Sequence, residues 1–455
     1  MKPFMDSPEL NSLLQKLPYL RHLMDTHGDM SLFDYGKAHY RWAQKNDVLF
    51  LERKTEFLGI LSEYVSWKFG DTLAHTVVKS LRENYAVSTA EHHGPLGHPF
   101  FFQSAILRGL VNPDEAIVNL CTSHVSLGNS SYPRGLVFHG DGTSAPEEYL
   151  HLPFFSARKR MSPVFGLWSY TEEDIKKSTC PRIHAYLDER IITEETWARL
   201  MDFLKNVVLD KTVLKAWNYS AQITLLNHRW WGEMFPEFPE YVPLDAEDIV
   251  REILIKHIEK NTVTAQLVTD EKIQPMIEEY FDGISCCFER KNKKWTYLFW
   301  HLDEEKNRHA LWREGGELVS VDGSFRVQLN SSSLLLTLRS WVLIPSGLLV
   351  YTTLSCYYGL TCFWGFSQGD YLPQIQQAYR NILKHIDWAL VYAGEEAAIL
   401  NEDMVFLHEN LGQILSALDL SIHGAQNREE MLSLTQKVTV KKSIEHMREE
   451  ILRCL

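Results

Sequence analysis

Residues 84–105 read NYAVSTAEHHGPLGHPFFFQSA and combine three local patterns. Residues 86–90 are small or β-branched, which is typical of a short buried strand. Glycines and prolines then mark a tight loop that carries three histidines, and an apolar, helix-like stretch begins near Phe100. In open α/β sheets, ligands bind where strands end and loops lead into helices. The stretch therefore predicts an α/β protein with a ligand site in this loop.

A second unit of the same kind follows along the chain. Residues 116–121 predict another buried strand, residues 124–135 form a polar loop with glycines, and residues 136–139 are again mostly apolar. Two strand–loop units in succession predict a βαβ-type sheet. The predicted fold class is α/β, with a Rossmann-like, mainly parallel sheet core, an antiparallel meander and helical additions at both ends of the chain.

Hydrophobic periodicity divides the chain into three regions. Leucines at helical spacing dominate the beginning, and strand-like segments separated by acidic or glycine-bearing turns mark a meander. Lysine and glutamate at helical spacing mark the final segment. The predicted regions are a helical N-terminal layer at 1–85, an α/β core at 86–395 with a helical insertion at about 185–282 and a β-meander at about 284–328, and a helical C-terminal segment at 396–455.

Composition and charge exclude several classes of partner. The chain has 455 residues and a formal net charge of −13, whereas a nucleic-acid binder or a protein that docks on anionic membranes needs a basic surface. The seven cysteines have irregular spacing and form no CxxC pair, which indicates reduced thiols in the cytoplasm. The first residues lack the apolar core of a signal peptide. The expected location is therefore cytoplasmic, with no nucleic-acid and no membrane partner.

One long run without charged residues needs a separate interpretation. Residues 340–369 are long enough to cross a bilayer. Proline and several glycines interrupt the run, and its β-branched and aromatic content favours buried strands. We therefore predict two buried strands joined by a turn, and a transmembrane helix is the alternative.

The candidate catalytic residues lie in the first loop. Histidines transfer protons near neutral pH, so His92 and His93, together with Glu91, are interpreted as catalytic. Three loops, 88–104, 124–135 and 364–371, are expected to meet at one edge of the sheet. Their polar side chains are assigned to substrate binding, namely His98, Gln103, Asn129, Tyr132, Arg134, Gln368 and Tyr371.

A metal site is the second interpretation of the histidines. Neutral imidazole suits zinc or iron, and His124, His139 or Asp141 would complete a ligand shell. The chain has no HExxH motif and no cysteine pair to support this interpretation. We therefore assign no metal ligand and no cofactor, and no standard nucleotide-binding loop is present.

Two blocks of the sequence resemble the cysteine-adding bacillithiol synthases. Residues 89–100, TAEHHGPLGHPF, are similar to the early strand–loop–helix of that family. Residues 343–349 and 365–371 are similar to its second landmark, in which a strand is followed by a loop that opens a helix. This chain has His92-His93 where the family has His-Gln or Gln-Gln, and it has Gln368 near the family's glutamate. The resemblance implies a Rossmann-like core and a site for a small metabolite.

Together these observations predict a cytosolic enzyme that acts on a small polar metabolite by group transfer or ligation, a transferase- or ligase-like activity. One alternative is a metal-dependent hydrolase that uses His92, His93 and His98. Another is a binding or scaffold protein that keeps the fold without catalysis. The expected partner is a small-molecule substrate, and association into a homo-oligomer is left open. Metal content separates the first two hypotheses, and a ligand-induced melting shift separates both from the third.

Overall fold

A computed structural model of the chain describes residues 14–15, 17–40, 48–96, 98–385, 403–407, 413–424, 427–448 and 451. It has a mixed α/β fold that contains one parallel and one larger antiparallel sheet. The strands within these described ranges are β1 Ala86–Ser88, β2 Ile117–Cys121, β3 Gly135–Phe138, β4 Leu150–Pro153, β5 Tyr241–Asp245, β6 Phe288–Glu289, β7 Lys294–Trp295, β8 Phe299–Leu302, β9 Arg308–Glu314, β10 Glu317–Ser320, β11 Arg326–Gln328, β12 Leu343–Pro345 and β13 Thr361–Phe363.

The parallel sheet has the strand order β13-β1-β2-β5. Every residue of these four strands is buried. Successive side chains point to opposite faces, so the sheet separates two hydrophobic clusters. Ala86, Ile117, Tyr241 and Phe363 face one cluster, and Val87, Val118, Val242 and Cys362 face the other. Burial on both faces explains why these strands lack the polar–apolar alternation of a surface sheet.

Strand β5 lies inside the region predicted as a helical insertion, and that prediction is wrong at this point. The strand is five residues long and contains Pro243, which interrupts any periodic pattern. Proline is accepted here because β5 is the last strand of the sheet, where one side of the backbone needs no partner. The helices around β5 agree with the prediction. Thr193 and Asp245 each cap the start of a helix with a side-chain oxygen.

The predicted antiparallel meander is present. Strands β8 to β11 follow one another along the chain and pair in the order β11-β10-β9-β8-β12. The turn from β9 to β10 contains Gly315 with a φ of +63°, a conformation that glycine adopts without a steric penalty. Two small hairpins, β3–β4 and β6–β7, complete the strands. The apolar run at 136–139 therefore belongs to an antiparallel hairpin and not to the parallel sheet.

The uncharged run at 340–369 contains two strands, but its connection is not a simple turn. β12 and β13 belong to different sheets, and the helix Gly347–Tyr351 continues between them as a π-helical segment at Thr352–Tyr357. Both segments are buried, and a short buried helix and a buried strand have the same apolar composition. Within the described ranges, no helix has the length and the apolar character needed to cross a bilayer.

The remaining structure is mainly helical. Within the described residues, the chain before β1 is mainly helical, and residues 1–13 of the predicted helical N-terminal layer lie outside them. The α-helices are Pro18–His27, Leu32–His39, Val48–Phe69, Asp71–Glu83, Pro99–Val111, Glu172–Ser178, Cys180–Asp188, Glu194–Phe203, Lys211–Leu214, Tyr219–Met234, Ala246–Lys260, Val263–Thr269, Gln274–Tyr280, Ser331–Arg339, Gly347–Tyr351, Gln368–His385, Ala417–His423, Arg428–Lys437 and Val440–His446.

Candidate functional site

A cavity of about 420 Å³ lies beyond the carboxyl ends of the parallel strands. Its walls include residues that follow β1, β2, β5 and β13, and further residues from the antiparallel part of the fold. The polar side chains that line it are His92, His98, Thr122, His124, Ser130, Ser131, Glu247, Ser285, Cys286, Thr296, Ser346, Tyr351, Ser367, Gln368, Tyr371 and Asp403. The three predicted loops thus each contribute residues to one cavity.

A histidine–carboxylate pair forms one wall. His124 Nδ1 lies 2.5 Å from Oε1 of Glu247, a fully buried residue in the first turn of helix Ala246–Lys260. The backbone N–H and the hydroxyl of Ser123 donate to the other Glu247 oxygen at 2.7 and 3.0 Å. The His124 ring stacks on Trp300, and Arg308 donates to the His124 backbone carbonyl. These contacts fix the orientation of the imidazole.

The electrostatics of this pair favour an ionised carboxylate. Burial alone would raise the pKa of Glu247, but His124 and the Ser123 donors outweigh it and hold the pKa below its usual value. An ionised Glu247 can stabilise a protonated His124 imidazole. This is the arrangement by which an acidic residue orients a histidine that acts as a general base.

Asp245 is a second buried carboxylate with the opposite behaviour. It accepts hydrogen bonds from the hydroxyls of Ser123 at 2.6 Å and Ser220 at 2.5 Å, and from the backbone N–H of Asp248. Burial, with contributions from Asp248 and Glu247, raises the pKa of Asp245 to about 7. Two neighbouring carboxylates with pKa values shifted in opposite directions are typical of a site that handles protons.

Two further histidines line the cavity as neutral imidazoles. His92 Nδ1 lies 3.1 Å from Oδ1 of Asn129 and 2.9 Å from the hydroxyl of Ser131. Burial, with a smaller contribution from His124, lowers the pKa of His92 to about 4. Burial, with a smaller contribution from His92, lowers the pKa of His98 to about 3. At neutral pH each ring therefore has one donor and one acceptor nitrogen. Because Nδ1 of His92 contacts Asn129 and Ser131, only its Nε2 is left for a ligand.

His93 and Glu91, the other two predicted catalytic residues, do not line the cavity. Residue 92 pairs with Thr122 in a parallel bridge, so the backbone is extended here and neighbouring side chains alternate in direction. His93 Nε2 lies 3.0 Å from the Ser220 carbonyl, and Glu91 accepts a hydrogen bond of 2.9 Å from Asn119. Both side chains are buried, and their contacts are those of core residues.

Gln103 also lies away from the cavity. Its side-chain oxygen accepts hydrogen bonds from the backbone N–H groups of Phe406 and Leu407 at 2.7 and 2.8 Å. Its amide nitrogen donates to the carbonyls of Leu407 and Leu415. The side chain therefore holds the segment 403–407 against helix Pro99–Val111, which differs from the predicted role in substrate binding.

The predicted residues of the second loop divide into two groups. Asn129 contacts His92 and so supports a cavity side chain from behind. Tyr132 and Arg134 lie farther along the loop, where the Arg134 guanidinium is 5.4 Å from the centre of the Tyr132 ring. The centre of the Tyr132 ring also lies 4.3 Å from the centre of the His151 ring. Tyr132 and Arg134 are not among the residues that line this cavity.

Gln368 and Tyr371 do line the cavity, as the sequence predicted from the third loop. The Gln368 amide donates to the Thr89 carbonyl at 2.7 Å and to the hydroxyl of Tyr351. The Tyr371 hydroxyl lies 3.5 Å from that of Tyr351. Gln368 thereby connects the loop after β1 to the loop after β13. These contacts leave Tyr371 better placed than Gln368 to bind a ligand.

Gly94 sets the distance between the first two loops. A Cβ at this position would lie 2.7 Å from the Pro133 Cα, closer than real Cβ contacts allow. Asn227 holds the same turn by donating to the Gly94 carbonyl at 2.8 Å. The two loops can approach each other only because residue 94 has no side chain.

We therefore expect Gly94→Ala to lower the free energy of unfolding by about 1–3 kcal/mol, because the added methyl group must push backbone apart. The measurement is urea unfolding followed by circular dichroism. Gly232→Ala is the matched control, because a Cβ there meets no heavy atom within 4 Å and alanine favours the helix. Equal stability of both variants would contradict the close packing of the loops.

The donors near the cavity do not form a metal shell. Among the residues that the structure describes, no group of three or more His, Cys, Asp or Glu side chains is arranged to hold a metal ion. His93 is directed to a backbone carbonyl, so the predicted set of His92, His93 and His98 does not converge.

Comparison with known proteins adds no further assignment, because the chain matches no protein family and no curated protein.

Sequence reasoning missed part of the site. Glu247 is not among the predicted site residues, and His124 is predicted only as a candidate metal ligand. Cys286, Trp300, Ser346 and Tyr351 lie in segments that were assigned to strands and to the core. The adjacent cysteines at 286 and 287 were a signal in the sequence, although they did not indicate a cavity.

Proposed function

We propose that this protein is an enzyme that acts on a small polar metabolite by group transfer or ligation. The observation that carries the proposal is the His124–Glu247 pair at the wall of a 420 Å³ cavity. A cavity of this size, with convergent polar groups and shifted pKa values, is the usual form of a small-molecule site. A Rossmann-like core and a relation to the bacillithiol synthases are part of the same proposal.

The sheet topology supports the Rossmann-like part. The chain runs from β1 through β2 to β5 in one direction and then places β13 on the other side of β1. In open α/β sheets, ligands bind outside the carboxyl ends of the strands, where the strand order reverses. The loops that follow β1 and β13 flank this reversal, and both supply residues to the cavity.

In the proposed reaction, His124 takes the proton from the attacking group of the acceptor. Glu247 stabilises the imidazolium that forms, and the proton is later returned to the leaving group. The neutral rings of His92 and His98, together with the Tyr371 hydroxyl, bind polar groups of the substrate. Trp300 and Phe101 form apolar parts of the cavity wall and limit the access of water to the polar groups.

We expect His124→Asn and Glu247→Gln to lower turnover by about 100-fold or more, since general base catalysis contributes about 10²–10⁴-fold. A library of polar metabolites is first screened for compounds that raise the melting temperature of the wild-type protein. Turnover of the compounds found is then compared by mass spectrometry. His184→Asn, on a solvent-facing helix position, is the matched control. Undiminished turnover in both His124→Asn and Glu247→Gln would contradict the proposal.

A further inference from the structure

Cys286 lines the same cavity, and the reaction described above does not use it. The residue has a φ of +70°, a conformation that is costly for any residue with a side chain. Its sulfur lies against Gly347, where any side chain would collide with it. The thiol therefore lies at the wall of the cavity, in space that is open because residue 347 has no side chain.

The surroundings of Cys286 favour the protonated thiol, so a base must remove its proton before the sulfur can act as a nucleophile. Burial raises the pKa of Cys286 to about 12, although a hydrogen bond from the Tyr371 hydroxyl acts in the opposite direction. The sulfur therefore rests as a thiol. The imidazole of His124, which can take its proton, lines the same cavity.

Ser346 gives an independent sign that a ligand binds beside this thiol. The residue precedes Gly347, is only 1 % exposed, and lines the cavity. Its hydroxyl oxygen has no hydrogen-bond partner within the described part of the chain. A buried hydroxyl without a partner costs free energy, and a polar ligand in the cavity would remove that cost.

We propose that Cys286 is a nucleophile of this site, which accepts an acyl group from a donor as a thioester and passes it to an amine acceptor or to water. This inference rests on the proposed group-transfer function and names its covalent step. The Ser346 hydroxyl supplies a donor for the oxygen that becomes negatively charged when the carbonyl is attacked. His124, oriented by Glu247, is the base for both half-reactions.

The two half-reactions balance without an oxidant or a reductant. In the first, the Cys286 thiol gives its proton to His124 and forms an S–C bond to the carbonyl carbon of an ester donor. The C–O bond to the leaving group breaks, and the leaving alcohol takes the proton from His124. In the second, the amine gives a proton to His124 and forms a C–N bond. The C–S bond then breaks, and the sulfur takes the proton back.

The test uses 4-nitrophenyl acetate as the acyl donor with the full-length protein. We expect a burst of one equivalent of 4-nitrophenolate and an intact-mass increase of one acetyl group. Peptide mapping should place that group on Cys286. The other described cysteines are free, and of these only Cys180 is comparably accessible, whereas Cys121, Cys287, Cys356 and Cys362 are buried.

Variants separate the covalent step from other outcomes. Cys286→Ala should lose the burst, Cys180→Ala should keep it, and His124→Asn should slow it at least tenfold while its melting curve stays close to that of the wild type. Acetylation only at residues other than Cys286, or an unchanged burst rate in His124→Asn, would overturn the inference. Peptide mapping of the wild-type protein locates the acetyl group even if Cys286→Ala fails to fold. If Cys286 stays unmodified while His124→Asn still abolishes metabolite turnover, the covalent step fails and the proposed function stands.

Discussion

Replacing His93 with alanine is expected to lower the free energy of unfolding by about 3 kcal/mol, whereas His92→Ala changes it by about 1 kcal/mol or less. His93 is completely buried, and its ring donates to the Ser220 carbonyl. Its loss leaves a void and removes the hydrogen bond to the Ser220 carbonyl. The contacts of His92 are different, because Ser131 and Asn129 also bond to each other and keep a partner without it.

Urea unfolding of the two variants, under the same conditions, measures this difference. The pair is a matched comparison, because the two residues are adjacent and have the same side chain. We expect His92→Ala, and not His93→Ala, to change the binding of any ligand found in the melting screen. If His93→Ala unfolds at the same urea concentration as the wild type, the structural role of His93 is refuted.

The contribution of His93 to stability should disappear in acid. Burial is the largest cause that lowers its pKa from 6.5 to about 4 in the folded protein. The unfolded chain binds a proton near pH 6.5, whereas the folded protein does not until about pH 4. The folded state therefore loses stability as the pH falls through this window. We expect the stability gap between wild type and His93→Gln to narrow by about 3 kcal/mol between pH 6.5 and pH 4.

The free energy of unfolding of the variant is subtracted from that of the wild type because other groups titrate in the same pH range. Asp245 acts with the opposite sign, since its pKa is raised to about 7 and its protonation stabilises the folded state as the pH falls. This effect is common to wild type and variant and cancels in the difference. Val242→Ala, in the core of β5, is the control whose difference from wild type should not change with pH. A constant gap for His93→Gln would show that the ring is not buried as a neutral group.

The contrast between His92 and His93 shows where sequence reasoning stops. The pattern HH in a glycine-bearing loop leads to the cavity, since one of these histidines lines it. Whether a loop residue points to the cavity or to the core depends on the backbone around it. Here the bridge between His92 and Thr122 keeps the chain extended, and side chains at 91 and 93 turn away. No local pattern in the sequence predicts that bridge.

The same limit applies to the fold. Caps and periodicity predicted the long helices and the meander, because those signals are local. Strand β5 was missed because it is short and contains Pro243, and its pairing with β2 is far away in sequence. Glu247 lies just beyond the end of that missed strand in the chain. Without β5, the carboxylate that orients His124 could be seen only as part of a helix cap.

The pairing of β1 with β13 has a consequence for how the chain is synthesised. Thr89, just after β1, bonds to the Phe363 carbonyl 274 positions away. At roughly 5–20 residues per second, the ribosome needs roughly 15–55 s to make the chain between them. During that time one edge of β1 has no native neighbour, and an unpaired edge can join strands of other chains. A three-residue strand offers few groups for such pairing, so the short length of β1 protects the nascent chain while its partner is still being made.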